Sequence, residues 1–506
     1  MTELRLADPL IGLSAIGDLG RGLELGHAGR TCFIGCRLAR SLGVSDETVR
    51  EVFFAALLQH IGCVAHAHDT AGLDHGRTIE VNAAVDRTDF SRLPDIVRIL
   101  LAELTEGGDL LTRLRLLVPA ARMGKVALRT SCEIAEMTAR RIGLAPRVQV
   151  AVRHISEWYN GKGGFLRRKG DDIPISARIV LAAFTVSIFD RLGGPDAAVE
   201  AARTRAGKIL DPMVSDAFVR AGPSILEELA SIDLLSSLSD EEPGPRMTIN
   251  EDSLDEMSIA FGEMVDLKTP FTHGSARRAF ELTGRAAAAL GFDKRVTAEA
   301  RRAAALRDIG KASLPNAVLE KPAPLTEIDR EQVRLHAYHS ERVLVRSPAL
   351  AAEASLAGLH HERADGSGYH RGVSGASIPP AARLIAAVDA LVAMAQPRPH
   401  RPAVGLDEAC SRLTQDRSLD RDAVDTVIAA AHGVSRTSRR RPTTGLTDRQ
   451  VDVVRLLARG LTNRQIAERL VVSPRTAERH VQDIYMRIGA SSRAAAALFA
   501  VQNDLL

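Results

Sequence analysis

Hydrophobic residues along this 506-residue chain recur at helical spacing, and few stretches alternate between apolar and polar positions. Alanine, leucine, arginine and glutamate, which favour helices, are abundant, whereas aromatic residues make up only 4% of the chain. We therefore predict an all-α fold. Because a chain of this length is too long for one hydrophobic core, we expect about three domains.

Two stretches have the composition of linkers. The first, 236–250, contains an acidic run before Pro243-Gly244-Pro245, and the second, 435–445, contains three arginines, Arg439 to Arg441, before Pro442. We expect those three arginines to stay solvated, as charge runs usually do. The predicted domains are 1–235, 251–432 and 443–506.

Several classes of protein are disfavoured by what the sequence lacks. It has no run of about eighteen apolar residues and no signal-like N-terminus, so we expect a cytoplasmic protein without a membrane span. Its five cysteines include no C-x-x-C pair and are expected to be reduced thiols. No phosphate-binding loop of an ATPase and no strand-helix alternation of a receiver domain is present.

Three helix starts follow one another near the C-terminus. Thr447 and Thr462 each stand three positions before a glutamine, which is the pattern of a capping box. Ser473-Pro474 is a third start, and glycines end the first and third helices. We predict that the third helix ends near Ile488 and that a fourth spans 492–502.

The third of these helices is amphipathic. One face carries Ala477, Val481, Ile484 and Ile488, and the opposite face carries Arg475, Glu478, Arg479 and Gln482. Residues 436–506 contain 13 arginines, no lysine and 6 acidic residues, a net charge of +7, whereas the rest of the chain carries −4. This concentration of positive charge is typical of a nucleic-acid-binding surface.

Residues 446–506 resemble the LuxR-type helix-turn-helix DNA-binding domain. The resemblance implies that Glu478, Arg479 and Gln482 contact bases and that the last helix pairs two copies, so we expect a homodimer on double-stranded DNA. The alternative is a small helical bundle with a solvated basic face, but the caps, the glycines and the full-length match favour DNA binding. The predicted DNA-binding residues are Asn463, Arg475, Thr476, Glu478, Arg479, His480 and Gln482, of which Arg475, Thr476 and His480 are placed for phosphates.

The first two domains contain an internal repeat. Asn160-Gly161 recurs as Asp365-Gly366, 205 positions later, and Ile173-Pro174 recurs as Ile378-Pro379 at the same offset. Further upstream, 56–62 parallels 304–310 and His27 parallels His273. We therefore interpret the two domains as duplicated copies.

The second copy carries a set of histidines and carboxylates. It contains Asp308-Ile309-Gly310-Lys311, His336, His360-His361-Glu362, Asp365-Gly366-Ser367-Gly368-Tyr369 and Asp389. With these motifs the range 254–402 resembles the HD-GYP subgroup of the HD phosphohydrolase superfamily, in which a helical bundle holds metal ions that activate water against a phosphodiester, usually of a cyclic dinucleotide. The resemblance implies that Asp308 bridges two metal positions, that His336, His360 and His361 complete the first, and that His273 and Asp389 belong to the second. Asp308 and Lys311 would be the catalytic residues of an active enzyme.

Two positions depart from that family's pattern. Arg307 replaces the first histidine of the HD pair, and His370 replaces the proline of the GYP triplet. Arginine keeps its proton and has no lone pair for a metal, so one metal position loses a ligand. Asp308 and the three histidines can still hold a single divalent ion, iron, manganese or zinc. Arg307 is expected to pair with Asp389, with Asp308 or with a ligand's phosphate.

The first copy has lost most of these ligands. Ser131, Ile155, Ser156 and Phe184 stand at the positions of His336, His360, His361 and Asp389. We expect no metal there, only a structural or ligand-sensing relic.

Two functions are compatible with these motifs. The favoured one is a transcriptional regulator whose tandem HD-GYP-like body senses a nucleotide or other small-molecule effector, or holds the dimer. The alternative is a metal-dependent phosphodiesterase fused to a DNA-binding domain, and Arg307 is the residue that separates the two.

Overall fold

The computed structural model describes residues 4–65, 78–88, 110–434 and 444–506, which are helical almost throughout, as predicted. The chain divides into two compact units, Met1–Asn250 and Glu251–Leu506. Within the described ranges no helix is both long and apolar enough to cross a membrane. The arginines predicted to be solvated, Arg439 to Arg441, lie outside the described residues.

The first unit is a helical bundle around α2. Its helices are α1 (Ala7–Arg21), α2 (His27–Ser41), α3 (Asp46–Leu58), α4 (Thr78–Arg87), α5 (Leu110–Arg141), α6 (Pro146–His154), α7 (Ile175–Arg205), α8 (Pro212–Ser231) and α9 (Leu234–Ser237). Helix α2 packs against α3, α7 and α8. The largest side chains in this core are Phe33, Phe53, Phe54 and Phe218, all fully buried.

The stretch predicted as a linker, 236–250, is instead packed on the first unit. It forms a short 3-10 turn, Leu238–Glu241, and a strand β2 (Thr248–Ile249) that pairs antiparallel with β1 (Leu4–Arg5). Leu238 is buried, and Arg40 of α2 donates to the Glu241 carbonyl at 2.8 Å. Glu241, one of the acidic residues of the predicted linker, is therefore held by arginines of α2.

The second unit contains a larger bundle and a smaller C-terminal one. The larger comprises α10 (Glu251–Asp266), α11 (Ser275–Ala289), α12 (Lys294–Leu306), α13 (Asn316–Leu319), α14 (Glu327–Leu344), α15 (Ala351–Gly358), α16 (Pro380–Met394), α17 (Leu406–Gln415) and α18 (Arg421–Val434). Helix α11 packs against α12, α16 and α18 through alanine-rich faces, and this contact is the core. Helix α14 packs against α15 and the 3-10 turn Ile309–Ser313.

The C-terminal bundle confirms the predicted helix starts. Its helices are α19 (Asp448–Ala458), α20 (Asn463–Leu470), α21 (Pro474–Ile488) and α22 (Arg493–Gln502). Thr447 and Thr462 form complete capping boxes, and the Ser473 side chain accepts from the Thr476 amide. Helix α22, predicted to pair two copies, is instead almost entirely buried within the chain, because it packs against α19 on one side and α10 of the larger bundle on the other.

Candidate metal centre and nucleic-acid interface

Four of the predicted metal ligands meet inside the larger bundle of the second unit. Asp308 follows α12, His336 lies on α14, and His360 and His361 follow α15. One ligand atom from each of the four lies within 4.8 Å of all the others. Three separate helical elements therefore deliver one imidazole-rich donor set, of a kind that suits iron, manganese or zinc.

Hydrogen bonds to the backbone set the histidine tautomers. The Nδ1 atoms of His336 and His360 donate to the carbonyls of Val333 and Ala357, the latter at 2.6 Å. A carbonyl oxygen only accepts, so each Nδ1 carries the proton and each Nε2 of a neutral ring carries a lone pair. Metal-binding histidines are held by their second nitrogen in this way.

The exposed lone pairs face one another. His336 Nε2 and His360 Nε2 are 3.2 Å apart, and Asp308 Oδ1 lies 3.3 and 3.6 Å from them. Asp308 Oδ1 is buried and has no hydrogen-bond donor among the described residues. Three acceptors without a shared proton repel each other, and a cation among them removes that repulsion.

The protonation states suit a metal ion. Burial lowers the pKa of His336 and lowers that of His361 further, so both rings are neutral at neutral pH. Burial opposes ionisation of Asp308, but Lys311, 2.8 Å away, and the adjacent Arg307 hold the pKa of its carboxyl well below the usual range. Asp308, His336 and His361 thus favour the deprotonated forms that bind metal.

Arg307 is fully buried and forms the ion pairs that the sequence suggested. Its Nε donates to Asp389 Oδ1 at 2.7 Å, and its Nη2 lies 3.5 Å from Asp308 Oδ2. The same Nη2 donates to Ser275 Oγ at 2.9 Å. A fixed cation thus neutralises Asp389, the carboxylate predicted to serve a second metal position.

His273, also predicted for a second metal position, lies elsewhere. Its Nδ1 donates to the carbonyl of Ala458, the last residue of α19, at 2.7 Å. Of the six predicted ligands, the structure therefore gathers four, pairs Asp389 with Arg307, and sets His273 against the C-terminal bundle.

A cavity of about 600 Å³ opens onto the cluster. Asp308, His336, His361, Lys311 and Tyr369 form one side of it. Its other walls combine apolar and basic residues, including Val318, Leu319, Pro322, Leu325, Lys268, Lys321, Arg330, Arg398 and His400. Such a lining suits a ligand with flat apolar parts and negative charge.

Sequence reasoning missed the role of Glu362. This buried carboxylate accepts from the backbone amides of Arg371, Gly372 and Val373 at 2.7, 3.2 and 3.1 Å, and so shapes the glycine-rich loop beside the histidines. The repeat offset was the available signal, because Glu157 occupies the matching position of the first copy.

In the first unit the corresponding space is filled by rings. Phe184 contacts His27 and His60 edge-on, with centroid distances of 5.4 and 4.7 Å. Neither ring nitrogen of the buried His27 has a hydrogen-bond partner among the described residues. Burial lowers the pKa of His27 to about 3.

Helix α21 presents the predicted DNA-reading side chains. Glu478, Arg479 and Gln482 are exposed, while Ala477 and Val481 on the other face are buried. Of the residues predicted for the phosphates, Arg475 and Thr476 are exposed and His480 is half-buried. Asn463, half-buried at the start of α20, accepts from Arg493 through its Oδ1 at 3.2 Å.

Comparisons with known proteins agree with this division. The HD domain family matches residues 260–423, and the luxR family of bacterial regulatory proteins matches residues 444–500. The chain is 28% identical to the 3′3′-cGAMP-specific phosphodiesterase 3 of Vibrio cholerae over 81% of its own length and 91% of the relative's. It is 36% identical to a cyclic di-GMP phosphodiesterase of Thermotoga maritima over 31% of its length and 44% of the relative's.

A crystal structure of a cyclic GMP-AMP-specific phosphodiesterase of Vibrio cholerae, V-cGAP3, has the same fold. The TM-score is 0.59 at 25% identity, and the match covers 85% of this chain and 98% of the other.

Proposed function

Since the chain joins an HD domain to a LuxR-type helix-turn-helix domain and is homologous to HD-GYP cGAMP phosphodiesterases, we propose that it is a DNA-binding transcriptional regulator. Its HD domain holds one divalent metal ion and senses a nucleotide or a similar small anion. The protein binds its operator as a homodimer. Its DNA target places it in the cytoplasm.

The observation that carries the metal proposal is the convergence of unprotonated donors. Asp308 Oδ1 and the Nε2 atoms of His336 and His360 lie within 3.6 Å of one another, while the Nδ1 atoms of both histidines face backbone carbonyls. His361 is the fourth ligand. We propose one ion rather than two, because the guanidinium of Arg307 already compensates Asp389.

The same arrangement argues for weak or absent turnover. A bound ion would supply Lewis-acid chemistry toward a phosphate in the cavity. Lys311 would attract the phosphate, while Arg307 keeps Asp389 from binding a second ion. Binding of an anionic effector thus needs only the ligands of one ion and Lys311, all of which are present.

The DNA-binding half of the proposal is tested on α21. Substituting Arg479→Ala should weaken binding to the preferred duplex by about 1–3 kcal/mol and relax sequence preference, because a base contact is lost. Substituting Arg475→Ala should weaken binding to all duplexes alike, because a phosphate contact is lost. Fluorescence anisotropy with a duplex selected from a random pool, and with a scrambled one, separates these outcomes. Equal losses for Arg479→Ala on both duplexes would assign that residue to the backbone.

A working phosphodiesterase is the second candidate. It is favoured by the activities for which the relatives are named and by Lys311, which stands 2.8 Å from Asp308 at the cavity. Hydrolysis of bis(p-nitrophenyl) phosphate and of 3′3′-cGAMP, with added Mn²⁺ or Fe²⁺, tests it. Rapid turnover that Asp308→Ala abolishes would replace the sensor proposal with the enzyme proposal.

A further inference from the structure

We infer that the loop Leu267–Gly274 couples the metal pocket to the DNA-binding bundle, so that occupancy of the pocket changes affinity for DNA. This inference rests on the proposed metal centre and the proposed DNA binding. It adds the physical link between them, which lies wholly within the second unit.

One side of this loop belongs to the pocket. Lys268, Thr269 and Thr272 line the cavity that opens onto the metal ligands. Thr272 Oγ1 donates to the Asp266 carbonyl at 2.8 Å, which closes the loop on itself. A ligand that contacts these side chains therefore acts on a short segment that an internal hydrogen bond constrains.

The other side of the loop belongs to the DNA-binding bundle. His273 follows Thr272 directly, and its Nδ1 donates to the Ala458 carbonyl at 2.7 Å. The last carbonyls of a helix have no partner within that helix, so an imidazole N–H at this place caps α19. Two adjacent residues of this loop, Thr272 and His273, thus contact the metal pocket and the DNA-binding bundle respectively.

A second path starts at the metal ligand Asp308. Arg307 contacts Asp308 Oδ2 at 3.5 Å and donates to Ser275 Oγ at 2.9 Å with the same Nη2. Ser275 is the first residue of α11 and stands two positions after His273. An ion bound by the Asp308 carboxylate changes the attraction between that carboxylate and Arg307. Through the Arg307–Ser275 hydrogen bond the change reaches the start of α11, next to His273.

The docking of the DNA-binding bundle on the larger bundle also determines which surfaces of the DNA-binding bundle are free. Helix α22 packs against α10 as well as α19, and most of its side chains are buried. Loss of the His273–Ala458 hydrogen bond removes one of the contacts that hold the DNA-binding bundle on the larger bundle. A released arrangement beside the docked one would give the two states that a linked equilibrium requires.

The test uses the full chain, Mn²⁺ alone as the pocket probe, and a duplex selected by the chain itself. We expect the dissociation constant for DNA, measured by anisotropy, to differ at least about fivefold between the metal-free and Mn²⁺-loaded protein. In His273→Ala the difference should fall below about twofold. His273→Gln keeps an N–H donor and should retain part of it.

Mn²⁺ affinity is measured by calorimetry for every variant. His154→Ala is the control, because His154 Nδ1 also bonds a helix carbonyl, Val150 at 2.8 Å, but within its own helix in the first unit. It should behave as the unsubstituted chain.

Each failure points to a different statement. Equal DNA affinity with and without bound Mn²⁺, or undiminished coupling in His273→Ala, overturns the loop inference alone. Loss of Mn²⁺ binding in His273→Ala overturns it in favour of a ligand role for His273. A chain that binds no Mn²⁺, or no DNA, overturns the proposed function and the inference with it.

Discussion

In each unit a buried glutamate accepts three backbone hydrogen bonds from the loop that follows it, Glu157 in the first and Glu362 in the second. The next turn is also shared, since Asn160 and Asp365 each accept from the amide two residues on, both at 2.9 Å. The histidine pair before Glu362 has no counterpart before Glu157. The loop framework therefore persists without the metal ligands beside it.

The two units also differ in how their centres are stabilised. Around Phe184 the first unit relies on ring contacts with neutral histidines, which need no ion. Around Asp308 the second unit brings together unprotonated donors that repel one another until a cation arrives. Apolar packing at these positions thus gives stability, whereas retained ligands keep a capacity for binding at the expense of stability.

Removing a ligand should give the largest difference between the units. His360→Ala should weaken Mn²⁺ binding roughly 100-fold or more, because it removes one of the four clustered donors. His60→Ala, a histidine-to-alanine control in the first unit, should leave Mn²⁺ affinity unchanged. Calorimetry and metal analysis of the purified variants measure both. Metal loss in His60→Ala would show that the first unit binds metal too.

Restoring a ligand should sharpen the contrast. Arg307→His should raise the metal content from one toward two ions per chain, because it frees Asp389 and adds a neutral donor. Gln59→His at the equivalent place should add none, since Ile155, Ser156 and Phe184 offer no ligand. Metal content is read by plasma mass spectrometry. Unchanged occupancy in Arg307→His would place Arg307 outside the metal site.

Two glycines allow the shared framework itself to be tested. A Cβ at Gly310 would lie 2.0 Å from the His336 carbonyl oxygen, and one at Gly62 would lie 2.0 Å from that of Ser131. Each glycine-to-alanine change should cost about 1–3 kcal/mol of unfolding free energy in its own unit. Only Gly310→Ala should also weaken Mn²⁺ binding, because it displaces His336. Urea unfolding and calorimetry of both variants decide this, and equal effects on metal would contradict the assignment.

The smallest expected effect concerns pH. The pKa of His27 is lowered to about 3 by burial, against about 6.5 in an unfolded chain. Below about pH 6.5 the unfolded state gains a proton that the folded state does not take up, so the first unit loses stability as the pH falls toward 3. His27→Phe should remove about 2 kcal/mol of the loss between about pH 7 and about pH 5.

The single tryptophan, Trp158, lies in the first unit and reports its urea unfolding by fluorescence. If the variant and the unsubstituted chain lost stability equally over this range, His27 would not be the group responsible.

Local features were the ones that could be predicted from the sequence. The caps at Thr447 and Thr462 depend only on spacing of a few residues. The pairing of Arg307 with Asp389 is not local, and the sequence left Asp389, Asp308 and a ligand's phosphate open as partners. The Ala458 contact of His273 could not be predicted, because it requires one bundle to dock on another.

Composition gave a wrong or incomplete prediction where acidic residues bind partners that the sequence does not reveal. The run around Glu241 has the makeup of a linker, but arginines of α2 bind it to the bundle. Glu362 was overlooked for a related reason, since a carboxylate next to two histidines suggests another ligand rather than a backbone acceptor. The partners of Glu241 are side chains about 200 residues away in the sequence. The partners of Glu362 are amides of a loop that has no local sequence signal.

The bonds from Glu362 to its loop do not involve the ion, so the loop is ordered before any metal enters. Chelation should then strip the centre without unfolding the domain around it, and reloading should need no refolding. Under the proposed function, occupancy would follow the supply of free iron, manganese or zinc, and DNA binding would depend on that supply.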